Sequence, residues 1–168
     1  MKLPTTSPAT PETRLEIYLN DHHAAAIGGL ELARRCRGSN TEPPLSVDLD
    51  RLIAELTDDR RALEQVMSVL GVPRSPWKST AAFLAEKAGR AKLNGQLTGY
   101  SPLSRLLELE GLATAVTAKR HLWQNLVQLA QRHPSLSVVD FDELIARADR
   151  QTKVLEFHRL AAAEIALP

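Results

Sequence analysis

The stretch LEIYLNDHHAAAIGGLELARRCR, residues 15–37, decides the fold because it has the pattern of one long helix with a buried face. Its apolar residues recur at spacings of three and four, which places them on one side of a helix. They are Leu15, Tyr18, Leu19, Ala25, Ala26, Gly29, Leu32, Ala33 and Cys36. One polar residue, His22, falls on the same side, next to Asp21. Gly28 and Gly29 each disfavour a helix by about 1 kcal/mol relative to alanine, which indicates that a neighbouring helix approaches closely there.

The composition favours one soluble, all-helical domain built on aliphatic contacts. The chain has 168 residues, of which 43% are hydrophobic and only 4% aromatic, and this length can bury a sizeable core. The formal net charge of +1 requires no nucleic-acid partner. No apolar run approaches the roughly 20 residues of a membrane span, and the first residues lack the apolar segment of a signal peptide. We therefore expect a cytoplasmic protein with no membrane contact.

Four long helices and a shorter one are predicted after a flexible tail at residues 1–11, so that residues 12–168 form a single domain. The long helices cover about 12–37, 46–70, 102–132 and 140–166. Thr10 before Pro11 and Ser101 before Pro102 are good helix starts, since each pair combines a capping side chain with a proline in the first turn. The shorter, amphipathic helix covers about Trp77 to Leu93 and lies in the connection between the second and third long helices.

This pattern of connections favours a ferritin-like four-helix bundle. One long connection in the middle and short ones elsewhere give an up-down-down-up order; the alternative is a plain up-down-up-down bundle with the extra helix across one end. In both, the short first linker makes the first two helices antiparallel. Folding them about residue 41 brings His22 within about one turn of Asp59, where the second helix has its own polar interruption. We therefore predict that His22 and Asp59 meet in the core.

Four segments of the chain also resemble a known group of sequences. They are YLNDH and GLELARR in the first helix, KLNGQLTGYSPLSRLLELEGL at the start of the third, and HRLAAA in the fourth. These segments are similar to a family of uncharacterised small helical, ferritin-like proteins from high-GC bacteria, over most of the chain after the tail. The resemblance implies the helical organisation and no particular chemistry.

The polar interruptions suggest a metal site, although the usual motif is missing. Ferritin-like di-metal proteins use one Glu from each of two helices and Glu-x-x-His from each of the other two. Here Glu55 is followed by Asp59 and Glu156 by His158, and neither pair fits that spacing. A looser carboxylate and imidazole site suited to Fe, Zn or Mn is the remaining hypothesis. Its candidate ligands are Asp21, His22, Asp59, Glu110 and His158.

Which of these residues meet depends on the topology. In an up-down-up-down bundle, Glu110 and His158 lie within a turn or two of His22 and Asp59. In an up-down-down-up bundle, Glu110 instead meets His158 near the Arg34–Arg35 end, an arrangement closer to buried ion pairs than to a metal site. The residues level with His22 and Asp59 are then Arg120, His121 and Asp149.

The sequence favours a non-enzymatic bundle with a structural or interaction role, in which a buried polar cluster fixes the register of the helices. A homodimer through the face of the first two helices, or through the extra helix, fits this role. The alternative is a ferritin-like metal-binding protein with a degenerate site. A pocket beside Gly28 and Gly29 is a third option, for which the sequence names no small-molecule ligand. Cys36, the only cysteine, and Trp123 are interpreted as core residues.

Overall fold

The computed structural model describes residues 10–75 and 99–167 of the chain, and the described residues form helices without strands. The helices are α1 (Pro11–Ser39), α2 (Leu45–Val69), α3 (Pro102–Ala130), a short 3-10 helix (Pro134–Val138) and α4 (Phe141–Ala166). The predicted all-α class and the four long helices are therefore confirmed. The predicted helix at Trp77–Leu93 lies outside the described residues, and so does the predicted tail at residues 1–11 except for Thr10 and Pro11. Pro11 already belongs to α1. No helix in the described ranges has the length and apolar character of a membrane span.

The helix starts follow from local capping, as the sequence predicts. The side chains of Thr10 and Ser101 accept hydrogen bonds from backbone N–H groups three residues later, at 3.2 and 3.1 Å. A proline occupies the first turn of both helices, where its missing N–H is not needed. Gly71, with a φ of 67°, follows α2 in the left-handed conformation that commonly ends a helix.

The helices pack in an up-down-down-up order. In each neighbouring pair, a residue late in one helix contacts a residue early in the other, so all four neighbouring pairs are antiparallel. The contacts are Arg37–Asp50 and His23–Glu64 for α1–α2, Arg35–Glu108 and Tyr18–Asn125 for α1–α3, Asp48–His158 and Asp59–Arg147 for α2–α4, and Arg120–Asp149 and Glu110–Arg159 for α3–α4. The diagonal pairs α1/α4 and α2/α3 are consequently parallel. The up-down-up-down alternative is wrong.

A polar layer divides the core into two apolar halves. One half contains Ala33, Cys36, Leu49, Leu52, Leu106, Leu109, Leu112, Val116, Ala148, Leu155 and Ala162. The other contains Leu19, Leu63, Val66, Met67, Leu122, Trp123, Leu126, Leu136, Phe141 and Leu144. On α2, Asp59 lies between Leu52 of the first half and Leu63 of the second. Lys119 takes the equivalent position on α3, so both residues belong to the boundary between the halves.

Glycine allows α1 and α3 to approach closely. A Cβ placed on Gly29 would lie 3.7 Å from the Ala115 Cβ, and one on Gly111 would lie 3.0 Å from a methyl group of Leu32. The distance at Gly29 is an ordinary van der Waals contact that an alanine could also make, so the tight position between the two helices is Gly111 on α3 and not the predicted Gly29. The buried face of α1 is turned toward α2 relative to the prediction, since Leu30 is buried and Ala25 is exposed.

Candidate functional site in the middle of the bundle

The carboxylate of Asp59 is the centre of the polar layer. Its side chain is only 2% exposed, yet both oxygens accept hydrogen bonds from cations. The ammonium of Lys119 on α3 donates to one oxygen, and the guanidinium of Arg147 on α4 donates to the other at 3.0 Å. A buried carboxylate requires this kind of pairing, because its desolvation is otherwise very unfavourable.

The hydrogen bonds continue from Lys119 across the bundle and back to α2. Lys119 also donates to the Gln151 Oε1 at 2.6 Å, and the Gln151 Nε2 donates to Glu55 at 2.7 Å. We call Glu55, Asp59, Lys119, Arg147 and Gln151 the middle layer. It joins α2, α3 and α4 through one continuous network and contains two carboxylates and two cations. Its formal charge is therefore zero.

Burial acts on the protonation of Lys119. Its side chain is 12% exposed, and this desolvation lowers the pKa of Lys119 below its ordinary value of 10.5. The Asp59 carboxylate opposes the shift because it stabilises the charged ammonium. Burial and the neighbouring carboxylate therefore act in opposite directions on the pKa of Lys119.

His22 lies beside the middle layer but does not pair with Asp59. His22, Asp59, Lys119 and Trp123 line one cavity of about 70 Å³, beside Gly29. The His22 ring is half-buried and contacts the Tyr18 ring edge-on, with 4.6 Å between the centroids. The predicted proximity of His22 and Asp59 is therefore observed, since both line one cavity, but no hydrogen bond joins them. The two side chains reach the same space, but the cations of α3 and α4 occupy the carboxylate.

The burial of His22 makes a pH-dependent prediction. Desolvation lowers the pKa of His22 below 6.5, so the unfolded chain binds its proton more strongly than the folded chain. Stability is then lost as the pH falls through 6.5. We expect His22→Leu to be tolerated at pH 8 and to be more stable than the unmodified protein near pH 5. Urea denaturation at both pH values measures this difference.

The control for His22→Leu is His133→Leu, because His133 is exposed beside the 3-10 helix. It should leave the pH dependence of unfolding unchanged. Equal pH profiles for His22→Leu and the unmodified protein would contradict the stated role of His22.

The other predicted ligands lie apart. Asp21 is exposed on α1. Glu110 lies 3.8 Å from Arg159, whereas His158 is buried and pairs with Asp48 on α2 at 2.8 Å. The predicted contact between Glu110 and His158 is therefore wrong, because the Glu110 side chain lies at the partly exposed α3–α4 seam. The five predicted metal ligands do not converge on one site.

The buried carboxylate near the start of α3 is Glu108, which the sequence analysis missed. Glu108 accepts hydrogen bonds from the Arg35 Nε at 2.8 Å and from the Tyr100 hydroxyl at 2.9 Å. The Asn40 amide donates to the same hydroxyl at 2.8 Å, which ties the end of α1 to the start of α3. Nearby, burial raises the pKa of the Cys36 thiol to about 12. Cys36 is thus an unreactive core residue, in agreement with its interpretation from the sequence.

A heptad-like spacing in the sequence would have identified two of the missing members of the middle layer, Lys119 and Gln151, but not Arg147. On α3 the core-facing positions follow each other at steps of three and four, and Lys119 occupies one of them. These positions are Leu109, Leu112, Val116, Lys119, Trp123 and Leu126. Gln151 interrupts the corresponding series on α4. Lysine and glutamine have long side chains that are usually exposed. Lys119 and Gln151 are therefore easily taken for surface residues even where the spacing places them on the buried face.

In residues 10–75 and 99–167, no three side chains of the types His, Cys, Asp and Glu are arranged to hold a metal ion. The candidate site is therefore a network of charges and hydrogen bonds, not a set of metal ligands. No family model, no curated protein and no solved structure matches the chain.

Proposed function

We propose that this protein is a non-enzymatic helical bundle with a ferritin-like arrangement, in which internal cations take the place of a metal. The single observation that carries the proposal is the charge balance of the middle layer. Glu55 and Asp59 supply two carboxylates, and Lys119 and Arg147 supply two cations. A neutral, hydrogen-bonded set of this kind has no net attraction for a divalent ion.

The donor set does not fit the metal that a ferritin-like bundle implies. Such bundles use carboxylates from all four helices, together with histidines from two of them. In the middle layer only α2 contributes carboxylates, while α3 and α4 contribute Lys119, Arg147 and Gln151. A bound Fe, Zn or Mn ion would lie against these positive charges. The metal-binding alternative is therefore the weaker candidate.

The role proposed for the middle layer is to fix which residues of the helices face each other. If α2 slides by a turn, Asp59 loses both of its partners inside the core, and a slide of α3 or α4 removes one of them. A buried unpaired charge is strongly destabilising. A core that contained only apolar side chains, without the middle layer, would tolerate such a slide far better. The interior thus specifies one arrangement, and the outer surface of the bundle remains available for interaction.

Elemental analysis of protein purified without a histidine tag tests the proposal. We expect Fe, Zn and Mn to be far below one ion per chain, and to remain so after dialysis against each metal. Stoichiometric metal that is lost in His22→Leu or Asp59→Asn, with the helical circular dichroism intact, would contradict the proposal and favour the metal-binding alternative.

A further inference from the structure

The C-terminal half of α4 carries exposed apolar residues on its outer side. Phe157 is 65% and Leu160 is 51% exposed, whereas the buried side of the same helix holds Leu155 and Ala162. Lys153 and Glu164 are also exposed. They lie on the same outer side of α4, one before and one after this apolar pair. The steps 153, 157, 160 and 164 are four, three and four residues, which is the spacing of a coiled-coil contact line. We call these four residues the α4 stripe.

The charges of the α4 stripe lack partners within the described part of the chain. Nearby, Arg150 pairs with Glu143 and Arg159 pairs with Glu156, each at 2.6 Å. Lys153 and Glu164, by contrast, make no ion pair with any residue in the described ranges. The stripe therefore presents an apolar pair flanked by one positive and one negative charge, neither of which residues 10–75 or 99–167 neutralise.

We propose that the α4 stripe is the contact surface of a homodimer in which two copies of α4 pack antiparallel about a two-fold axis. In such a pair the numbers of facing residues have a constant sum. The α4 stripe satisfies this condition twice, since Phe157 faces Leu160 of the second copy when Lys153 faces its Glu164. The apolar residues then cover each other, and each free charge meets its opposite.

A parallel pairing does not have this complementarity. It places Lys153 against Lys153 and Glu164 against Glu164, and like charges at facing positions are destabilising. The stripe therefore fits a second copy in one orientation. The contact is short, since four residues per chain bury less than the area of a standard stable interface. We expect a weak, reversible dimer.

Sedimentation equilibrium of the full chain over a wide range of protein concentration tests this proposal. The mass should rise from monomer to dimer as the concentration increases. Phe157→Glu should raise the dissociation constant at least about tenfold, with unchanged helical circular dichroism. The matched control is Val138→Glu, because Val138 is 60% exposed on the 3-10 helix; this variant should dimerise like the unmodified protein.

Charge reversal tests the orientation. Lys153→Glu and Glu164→Lys should each weaken the dimer, because each substitution places like charges at positions 153 and 164 of the two facing copies. The double variant should restore the dimer, because these positions again carry opposite charges. A monomer at every concentration would overturn the proposal. A dimer whose dissociation constant Phe157→Glu leaves unchanged would also overturn it, and this is the result expected for a dimer through α1 and α2. A double variant that dimerises as weakly as the single variants would overturn it as well.

This dimer rests on the interaction role proposed above, but the two proposals fail in different experiments. Stoichiometric metal in the purified protein would remove the proposed function and leave the sedimentation result standing. A strictly monomeric chain that contains no metal would remove the α4 dimer and leave the role of the middle layer intact.

Discussion

Asp59→Asn is expected to lower the free energy of unfolding by about 3–5 kcal/mol, the range measured when one partner of a buried ion pair is removed. The substitution keeps the size of the side chain and removes its charge. Lys119 then remains buried without the carboxylate that pairs with it directly, whereas Arg147 still has Glu143 at 3.9 Å. Urea denaturation at pH 7 measures the loss.

Asp58→Asn is the matched control. Asp58 is the preceding residue of α2, but its side chain is 59% exposed and pairs with Arg61 at the surface. Surface substitutions of this kind usually change stability by less than about 0.5 kcal/mol. If Asp58→Asn and Asp59→Asn destabilise the protein equally, the middle layer does not have the importance assigned to it.

The pH dependence of Asp59→Asn follows from the pKa of Lys119. Removal of the carboxylate lowers this pKa further, because Asp59 is the main group that raises it. The unfolded chain then binds the Lys119 proton more strongly than the folded chain, up to the ordinary value of 10.5. Stability should rise as the pH approaches that value. The deficit of Asp59→Asn should consequently shrink between pH 7 and pH 10.

A double substitution is expected to be more stable than either of its parts. Asp59→Leu alone leaves the Lys119 ammonium buried without its counter-ion, and Lys119→Met alone leaves Asp59 with only Arg147. The combined variant removes both charges of the Asp59–Lys119 pair, while Arg147 keeps Glu143 at 3.9 Å and Gln151 keeps its hydrogen bond to Glu55. We expect a coupling energy of at least about 2 kcal/mol between the two sites.

A double-mutant cycle of urea denaturation curves measures this coupling. The control cycle combines Asp58→Leu with Lys119→Met, since Asp58 faces solvent on the same turn of α2. The control pair should be additive within about 0.5 kcal/mol. Additivity in both cycles would contradict the direct ion pair between Asp59 and Lys119.

Much of the fold could be predicted because its signals are local. Proline and capping side chains mark the starts of α1 and α3, and the length of each connection favours the observed helix order. The interruption at Asp59 could also be recognised, since a charged residue stands out in a leucine-rich stripe. The sequence also predicts which residues lie at the same height in the bundle as Asp59. Arg120 and Asp149 are expected at that height, and they form an ion pair with each other at 2.6 Å.

The partners of Asp59 could not be predicted with the same ease. Two helices bring several residues to the same level of the bundle, and only the rotation of each helix about its axis decides which side chain points inward. On α3 the neighbours Lys119 and Arg120 differ in this respect, since Lys119 enters the core and Arg120 lies at the α3–α4 seam. A difference of two residues on the same helix likewise separates the buried Glu108 from the partly exposed Glu110. An error of one or two residues in the rotation of a helix is thus enough to predict a metal site where the structure has a network of internal ion pairs.

The central claim is that a lysine ammonium, held by Asp59 and Gln151, lies inside the bundle. Heteronuclear NMR of the Nζ–H groups at neutral pH tests it directly, with the exposed Lys153 as the internal reference. We expect the Lys119 ammonium to exchange its protons much more slowly than Lys153 and to change its resonance in Asp59→Asn. Exchange as fast as that of Lys153, with no response to Asp59→Asn, would contradict the account.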